Sequence, residues 1–597
     1  MHGGSADREA RQWLQRFEAA LASPETAEWN DLFASECWWR DLVALTWNIV
    51  TLEGADSIAA MARHQAPLIG ARDFALAPLP TSDPSEFWFT FETATARCTG
   101  HVRLRDGRCQ TLLTAMTELI GHEEPAGKRR PDGIEHRARK GRRTWADERR
   151  EEEAAMGAEA QPYCLIVGGG QGGLALAARL RRLRVPTLVI DMHERPGDAW
   201  RKRYPSLYLH DPIWLDHFPY LPFPDHWPLY THKDKMGDWL EIYAKAMEIL
   251  FWGSTVCTHA RYDEAAGRWE VEVVREGTPL ILRPTQLVLA TGLSGSKYIP
   301  DIPGADNFGG VSYHSADHPG GSAFAARRCV VIGSNNSAHD ICADLWENGA
   351  DVTMVQRSPT IVVRADTMRR LSESIPYAQP DIGTDIADLM GATLPFRLRT
   401  RMEKDNTDHI RKIDAPFYER LEKSGFLLSH GEDETGFFMA YYRRAGGYYI
   451  DVGASDLVAS GEIGLAVGEI RGITGDSVVL EDGRTLPADV ICFATGYGPM
   501  AEAAGRLISP EVQERIGPCW GLGSGTAGDP GPWEGELRNM WKPTAQPGLW
   551  FHGGNLMQSR FHSLHLALQI KARMEGLPTP VYRPSAVAAA ELQPALG

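Results

Sequence analysis

The chain has 597 residues, of which 43% are hydrophobic and 23% charged, and its formal net charge is −16. This length exceeds what one hydrophobic core supports, so two to four domains are expected. The negative charge argues against a nucleic-acid partner. No secretory signal and no run of 18 apolar residues is found, so a cytoplasmic protein without a membrane partner is predicted. Nine scattered cysteines without a CxxC pair fit a reducing compartment.

Residues 1–122 are expected to form a small α+β domain. A helical pattern runs from Arg11 to Leu21. Two later strand-like segments of this region are separated by Asp106-Gly107, which predicts a hairpin with a tight turn. The composition then becomes rich in Arg, Lys, Glu and Gly, so residues 123–160 are predicted to be a charged linker that ends in an exposed helix.

An intact glycine fingerprint begins at Gly168, after an apolar strand and before an Ala/Leu-rich helix. Gly168 permits the tight turn, Gly170 lets the backbone approach a pyrophosphate, and Gly173 lets the helix pack on the strand. Free N–H groups at the helix start favour negative charge. Asp191 lies 23 residues after Gly168, where an acid grips ribose hydroxyls. The pattern predicts an FAD site.

An altered copy, GSNNSA, begins at Gly333 and again lies between a strand and a helix. Its second strand ends in Gln356-Arg357-Ser358 rather than in an acid. A guanidinium can bind a 2′-phosphate that a carboxylate would repel, so this second site is predicted to bind NADPH. Asn335 replaces the middle glycine, and we expect the backbone approach to differ there.

Two apolar strands, within 287–295 and 490–498, each end in Ala-Thr-Gly and are interpreted as crossings between two nucleotide domains. The NADPH domain would then be inserted within the FAD domain. The boundaries predicted from the sequence are 161–322 and 479–580 for the FAD-binding domain, 323–478 for the NADPH-binding domain and 581–597 for a C-terminal tail.

From about residue 162 to 576 the chain resembles the class B flavin-dependent monooxygenases, a group that includes flavin-containing, YUCCA-type and Baeyer–Villiger enzymes. The motifs that carry the resemblance are GGGQGG, GDAW (197–200), two ATG turns, GSNNSA, FxGxxxH from Phe308 to His314, and GGNLMQSRFHSLHLALQIKA (553–572). The first 120 residues resemble an NTF2-like (SnoaL-like) domain in pattern. The resemblance implies an α/β protein with two Rossmann-like dinucleotide-binding domains, preceded by a small α+β NTF2-like domain.

The activity that the resemblance implies is NADPH- and O₂-dependent. NADPH would reduce FAD, and a C4a-(hydro)peroxyflavin would transfer one oxygen atom to a small organic substrate. No metal is expected, because His562 and His565 lack a third ligand. A homodimer is an open alternative to a monomer. An uncoupled NADPH oxidase, a disulfide reductase and a binding module are the other classes considered, and the missing cysteine pair argues against the reductase.

Candidate site residues follow from these motifs. The resemblance implies catalytic roles for Asn336, His314 and His210. The positions expected to bind the cofactors are Gly168, Gly170, Gly173, Asp191, Trp200, Gly333, Ser337, Arg357, Ser358, Thr495, Gly496 and Asn555.

The type of oxygenation is only partly indicated. His318 stands where Baeyer–Villiger enzymes extend the fingerprint with Trp, and no Lys-Arg pair precedes GGYYIDVG (446–453). Oxygenation of nitrogen or sulfur is therefore favoured. The segment LHDP at 209–212 is close to the LHLP of YUCCA-type enzymes, so oxidative decarboxylation of a 2-oxo acid stays an alternative, as does Baeyer–Villiger oxidation of a ketone.

Overall fold

Three sheets of five or six strands organise the chain, and three smaller sheets of three strands accompany them. This computed structural model describes residues 3–584, with side chains from residue 7 onward. Of the tail expected at 581–597, residues 585–597 lie outside the described part of the chain. Within residues 3–584, no helix has the length and apolar character needed to cross a membrane.

The N-terminal unit, residues 3–119, is a six-stranded sheet of order β2-β1-β6-β5-β4-β3 with helices against it. The predicted hairpin is confirmed: Arg105 pairs with Arg108, and both turn residues, Asp106 and Gly107, have positive φ. The elements are α1 (Gly3–Ala22), α2 (Trp29–Leu32), β1 (Phe33–Leu42), β2 (Ile49–Glu53), α3 (Ala55–Ile69), β3 (Arg72–Ala77), β4 (Glu86–Glu92), β5 (Ala96–Arg105) and β6 (Arg108–Leu119).

The first parallel sheet has the order β25-β13-β7-β8-β9, and all its neighbours run parallel. Its strands are short apolar runs, as expected for a sheet covered on both faces. The elements are α4 (Trp145–Ala155), β7 (Cys164–Val167), α5 (Gln171–Arg182), β8 (Thr187–Ile190), α6 (Asp198–Arg201), α7 (Lys233–Ala246), β9 (Phe251–Trp252), β10 (Thr255–Asp263), β11 (Arg268–Arg275), β12 (Thr278–Leu282) and β13 (Gln286–Leu289), followed much later by α15 (Ala501–Leu507), α16 (Pro510–Ile516), β25 (Leu549–Phe551) and α17 (Leu556–Met574).

The second parallel sheet has the order β14-β24-β15-β16-β20, again with parallel neighbours. Five helices, α9 to α13, lie between β17 and β19 along the chain. The elements are β14 (Val311–His314), β15 (Arg328–Ile332), α8 (Asn336–Glu347), β16 (Asp351–Gln356), β17 (Thr360–Arg364), α9 (Ala365–Ser372), α10 (Thr384–Ala392), α11 (Phe396–Ile413), α12 (Ala415–Lys423), β18 (Leu428–Ser429), α13 (Gly436–Arg444), β19 (Tyr448–Asp451), α14 (Ala454–Ser460), β20 (Gly464–Val467), β21 (Ile470–Ile473), β22 (Ser477–Leu480), β23 (Thr485–Pro487) and β24 (Val490–Phe493).

The two parallel sheets are copies of one plan. In each, a strand, a glycine turn and a helix lead to a second strand, and a three-stranded antiparallel sheet (β10–β12 or β21–β23) precedes the strand that ends in Ala-Thr-Gly. The boundaries predicted at 322 and 479 assign β14 and β24 to the domain of the first sheet, and the observed strand pairing differs from this assignment. Both strands pair in the second sheet, because each Ala-Thr-Gly strand lies beside the glycine strand of its own copy.

A buried ion pair joins the N-terminal unit to the rest of the chain. The Arg40 guanidinium on β1 binds both carboxylate oxygens of Glu536, at 2.6 and 2.9 Å, and donates a third hydrogen bond to the carbonyl of Ala392. Thr51 donates to the same carboxylate at 2.7 Å. The side chains of Arg40 and Glu536 are only 8% and 3% exposed, so both charges depend on this contact for compensation.

Replacing Arg40 with Met should lower the free energy of unfolding by ~3–5 kcal/mol, because the Glu536 carboxylate stays buried without its partner. Replacing both residues with Met should recover most of that loss. Urea unfolding followed by fluorescence measures the free energy of unfolding of Arg40→Met, Glu536→Met and the double variant. If the losses in the two single variants simply add in the double variant, the pair is not coupled.

Candidate active site between two nucleotide-binding turns

The first glycine turn is shaped by two close backbone contacts. Gly168 has φ +112°, and a Cβ atom there would lie 2.3 Å from the carbonyl oxygen of Ala290. A Cβ atom on Gly173 would lie 1.9 Å from the oxygen of Gly168. Gly170 differs, because nothing lies within 4 Å of its Cβ position. The open side of the turn is therefore at the start of α5, where a pyrophosphate fits.

Asp191 lies directly after β8 and faces this turn. Its carboxylate accepts the backbone N–H groups of Gly169 at 2.6 Å and His193 at 2.8 Å. These bonds fix the carboxylate beside the glycine turn. An acid in this place suits ribose hydroxyls, so the residues present fit the adenosine side of FAD.

Three segments meet at the start of α5 through one glutamine. Gln171 accepts the indole N–H of Trp200 at 3.2 Å and donates to the carbonyl of Gly554 at 3.4 Å. Asn555 caps α17, with its Oδ1 accepting the N–H of Gln558 at 2.9 Å. Gln171 lies inside the GGGQGG motif, but the motif does not indicate its bonds to Trp200 and Gly554.

The second glycine turn makes the same close contact with a backbone carbonyl as the first. Gly333 has φ +131°, and a Cβ atom there would lie 2.3 Å from the carbonyl oxygen of Ala494. Asn335 has φ −96° and ψ −168°, close to the −76° and −168° of Gly170. The backbone conformation is therefore the same in both turns, and the exposed side chain of Asn335 is what distinguishes the second. That the backbone approaches a pyrophosphate differently there stays a prediction.

Arg357 follows β16 and is exposed, as is Ser358. Within the described residues Arg357 makes no ion pair and no hydrogen bond. Gln356 before it is buried and bonded to both backbone groups of Leu427, so it is not available to a ligand. A free guanidinium beside a glycine turn suits a 2′-phosphate, and these residues fit NADPH.

Asn336 and Ser337 form the first turn of α8, and both are half-buried. Asn336 has a bond that its sequence position did not indicate: its Oδ1 accepts the N–H of Ile450 at 2.9 Å. The start of α8 is thereby tied to β19. Asn336 thus orients the segment that follows Gly447 as well as the turn itself.

His314 is 1% exposed and ends β14. Its Nε2 lies 2.9 Å from the carbonyl oxygen of Gly496, and its Nδ1 accepts the N–H of Ala316 at 3.1 Å. Burial lowers the pKa of His314, so the imidazole is neutral at pH 7 and Nε2 is the donor. Next to it, Thr495 donates to the carbonyl of Tyr298 at 2.5 Å. His314 and Thr495 thus hold the second Ala-Thr-Gly turn.

Residues 203–211, called the strap here, run from the first parallel sheet onto the second. Tyr204 donates to the Asp340 carboxylate on α8 at 2.7 Å, and His210 Nε2 lies 3.8 Å from the same oxygen. Arg203 donates to the hydroxyl of Tyr497 at 2.6 Å. Burial raises the pKa of Asp340. The sequence singled out His210 but neither Tyr204 nor Asp340.

His562 and His565 are buried on α17, and His562 stacks on Trp541 at 4.0 Å. Burial lowers the pKa of His565 to about 3. In residues 3–584, no group of three or more His, Cys, Asp or Glu side chains is arranged to hold a metal ion.

Comparisons with known proteins identify relatives of the nucleotide-binding part. The profile of the family described as flavin-binding monooxygenase-like matches residues 192–407. Indole-3-pyruvate monooxygenase YUCCA1 of Oryza sativa subsp. japonica is 32% identical over 339 residues, which cover 56% of this chain and 77% of that protein. The probable indole-3-pyruvate monooxygenase YUCCA3 of Arabidopsis thaliana is 30% identical over 344 residues, with coverages of 56% and 72%.

Solved structures show the same fold at lower identity. Cyclohexanone monooxygenase from Rhodococcus sp. Phi1, bound to NADP+, superposes with a TM-score of 0.50 at 18% identity, covering 72% of this chain and 87% of that one. The OTEMO complex with FAD and NADP gives a TM-score of 0.51 at 18% identity, covering 72% and 90%.

Replacing Gly170 with Val should leave the chain folded, because the Cβ position is open, but should block the approach of a pyrophosphate and release the flavin. Flavin absorbance of the purified protein at 450 nm, set against its thermal midpoint, measures the two effects. Gly173→Val is the matched control: its side chain meets the Gly168 carbonyl, so folding and flavin should be lost together. A Gly170→Val protein that retained its full content of bound flavin would contradict the assignment of this turn to the pyrophosphate.

Proposed function

This chain belongs to the flavin-binding monooxygenase-like family, and from that premise we propose that it oxygenates nitrogen or sulfur in a small organic substrate. The enzyme is an FAD- and NADPH-dependent monooxygenase, an oxidoreductase that uses O₂. The observation that carries the assignment of the two nucleotides is the difference between the paired turns. One turn faces a carboxylate, Asp191, and the other lies beside an exposed arginine, Arg357, without an ion pair in the described residues.

Each proposed site residue has a distinct task. When bound, FAD takes a hydride from NADPH and activates O₂. Asp191 and the turn from Gly168 to Gly173 would hold FAD, and Trp200, Gln171 and Asn555 would close the start of α5. The residues proposed to hold NADPH are Gly333, Ser337, Arg357 and Ser358, with Thr495 and Gly496 on the neighbouring turn.

Exclusion of water is the second task of the chain. The strap bonds the first copy to the second, and the turn that His314 holds contacts Tyr298 of the first copy through Thr495. Tyr204 and His314 are both buried. We infer that His314, Asn336 and His210 act by positioning, because each bonds or faces a group on another segment. A closed, dry interface protects reduced flavin from side reactions.

Nitrogen or sulfur oxygenation is favoured over Baeyer–Villiger oxidation by the surroundings of His318. Its Nε2 lies 2.8 Å from Asp344 and its Nδ1 2.8 Å from the Tyr313 hydroxyl, in a buried network where Baeyer–Villiger enzymes carry Trp. The second candidate is oxidative decarboxylation of a 2-oxo acid, because the curated relatives act on indole-3-pyruvate. Product mass spectrometry after incubation with an amine, a sulfide, a ketone and a 2-oxo acid tests these candidates together.

The N-terminal unit is proposed to be NTF2-like, because its six-stranded sheet has helices packed against it. Its proposed role is assembly or substrate access, and its contact through Arg40 supports a role tied to the catalytic part. A cytoplasmic location, a homodimer and the domain boundaries, with β14 and β24 assigned to the NADPH-binding domain, belong to the same proposal. Size-exclusion chromatography with light scattering tests the oligomer.

Arg357→Ala should raise KM for NADPH while sparing NADH, because only NADPH carries the 2′-phosphate. A charge-assisted contact of this kind contributes about 1–3 kcal/mol. Steady-state kinetics with both nucleotides measure the effect, and Arg471→Ala, at an exposed arginine on β21, is the control. Equal changes for NADPH and NADH would place recognition of the 2′-phosphate elsewhere.

His314→Ala and Asn336→Ala should keep FAD bound but divert reducing equivalents, so that H₂O₂ formed per NADPH rises and oxygenated product falls. The reason is that each side chain holds a segment of the second copy in place, His314 the turn at Gly496 and Asn336 the strand at Ile450. His314→Gln retains an N–H donor for Gly496 and should uncouple less than His314→Ala. If both alanine variants kept wild-type coupling, the positioning role would be refuted.

A further inference from the structure

Asp211 is a charged side chain for which the structure supplies no partner. It follows His210 at the end of the strap, in a segment that hydrogen bonds to a neighbouring one through Leu209 N–H to Thr231 O and Ile213 N–H to Leu229 O, both 2.8 Å. Asp211 is half-buried, and within the described residues its carboxylate makes neither a hydrogen bond nor an ion pair. Burial raises the pKa of Asp211, and the adjacent His210 opposes that shift only in part.

The charge of Asp211 reaches three tyrosines, and the hydrogen bonds of Leu209 and Ile213 to the neighbouring segment place Asp211 beside one of them, Tyr230. Burial, and next the negative charge of Asp211, raise the pKa of Tyr448. Burial also dominates the raised pKa of Tyr441 and Tyr230, with Asp211 among the charges that contribute. Neither the Tyr448 nor the Tyr230 hydroxyl bonds to a described residue. A carboxylate together with aromatic side chains is a combination that binds ammonium groups.

The positive groups of the neighbourhood are already engaged by other carboxylates. Arg560 forms a bidentate pair with Asp388 at 2.8 and 2.7 Å, and both side chains are 2% exposed. His210 faces Asp340 and Arg369 pairs with Glu373. A substrate carboxylate would therefore find no unpaired cation among these groups and would meet the negative charge of Asp211.

The position of this cluster is between the two nucleotide turns. Tyr441 accepts the N–H of Asn555 at 3.0 Å, at the start of α17 beside the first turn. Tyr448 lies on β19, which Asn336 ties to the start of α8 at the second turn. The charge of Asp211 therefore lies near segments that are bonded to the starts of both α17 and α8.

We propose that Asp211 selects substrates by charge: it binds a protonated amine or quaternary ammonium group beside Tyr230, Tyr441 and Tyr448 and repels 2-oxo acids. When the ligand is a protonated amine, the carboxylate accepts its proton, so that the free amine with its lone pair is the form that is oxygenated. The inference rests on the proposed function and narrows it. It separates this chain from the relatives that act on indole-3-pyruvate, because YUCCA-type enzymes resemble it at LHDP but carry an uncharged LHLP there.

A binding experiment on the FAD-loaded enzyme tests the proposal without turnover. Benzyltrimethylammonium and phenylacetate share a ring and carry opposite charges, and the quaternary nitrogen has no lone pair to oxygenate. Calorimetric titration should show binding of the cation alone. Asp211→Asn should weaken it about 10- to 100-fold, the effect of losing one charge-assisted contact. Asp211→Glu should retain the binding of the cation.

The control variant is Asp225→Asn, which removes the same charge from an exposed position in the segment that follows. It should bind benzyltrimethylammonium like the wild type. Flavin content and thermal midpoint verify that each variant is folded. Equal binding by wild type and Asp211→Asn, tighter binding of phenylacetate, or no binding of either probe would overturn the proposal.

Measurements of turnover distinguish a failure of this inference from a failure of the proposed function. With N,N-dimethylbenzylamine, benzyl methyl sulfide and phenylpyruvate as substrates, Asp211→Asn should lower kcat/KM for the amine about tenfold or more relative to the neutral sulfide. Preferred conversion of phenylpyruvate by the wild type would refute the charge selection while leaving a monooxygenase. If NADPH were consumed and no probe were oxygenated, the proposed nitrogen or sulfur oxygenation would fail, whereas the titration would still decide the role of Asp211.

Discussion

The contact on which the rest of the site depends is that of a glycine turn with the carbonyl of the neighbouring strand. At Gly168 and Gly333 the space for a side chain is filled by the carbonyl oxygens of Ala290 and Ala494. Because both glycines also have positive φ, no other residue fits either position without strain. The contact sets the start of α5 and of α8 against an Ala-Thr-Gly turn, and it thereby fixes where each nucleotide can lie.

Much of this arrangement could be predicted from local sequence. The glycine spacing predicted both turns, because a tight turn and a close helix contact both require glycine at positions that are near each other in the sequence. The change from an acid to an arginine after the second strand predicted that the two sites bind different nucleotides. The pairing of β14 and β24 could not be predicted in the same way, since parallel strands find partners far along the chain. Tyr204 and Asp340 are 136 residues apart, and Arg40 and Glu536 are 496 apart, so no short motif reveals either contact.

Unpaired charge is the feature that distinguishes the proposed ligand-binding positions from structural ones here. Arg560 and Arg40 are buried, yet each is fully engaged by a carboxylate and by backbone carbonyls, which is the requirement for a charge in an apolar interior. Arg357 and Asp211, in contrast, lie at the nucleotide-binding region without a partner among the described residues. Their opposite signs fit a phosphate in one case and a cation in the other.

The strap has a thermodynamic consequence. It begins in the segment that follows the first nucleotide turn, and through Tyr204 and Asp340 it bonds to the helix of the second. If occupancy of one turn shifts the strap, the free energy of that shift is shared by both binding equilibria. Linkage then requires reciprocity: whatever factor bound FAD contributes to the affinity for NADPH, bound NADPH contributes equally to the retention of FAD. A single hydrogen bond between phenol and carboxylate would thus make cofactor retention depend on the supply of reductant.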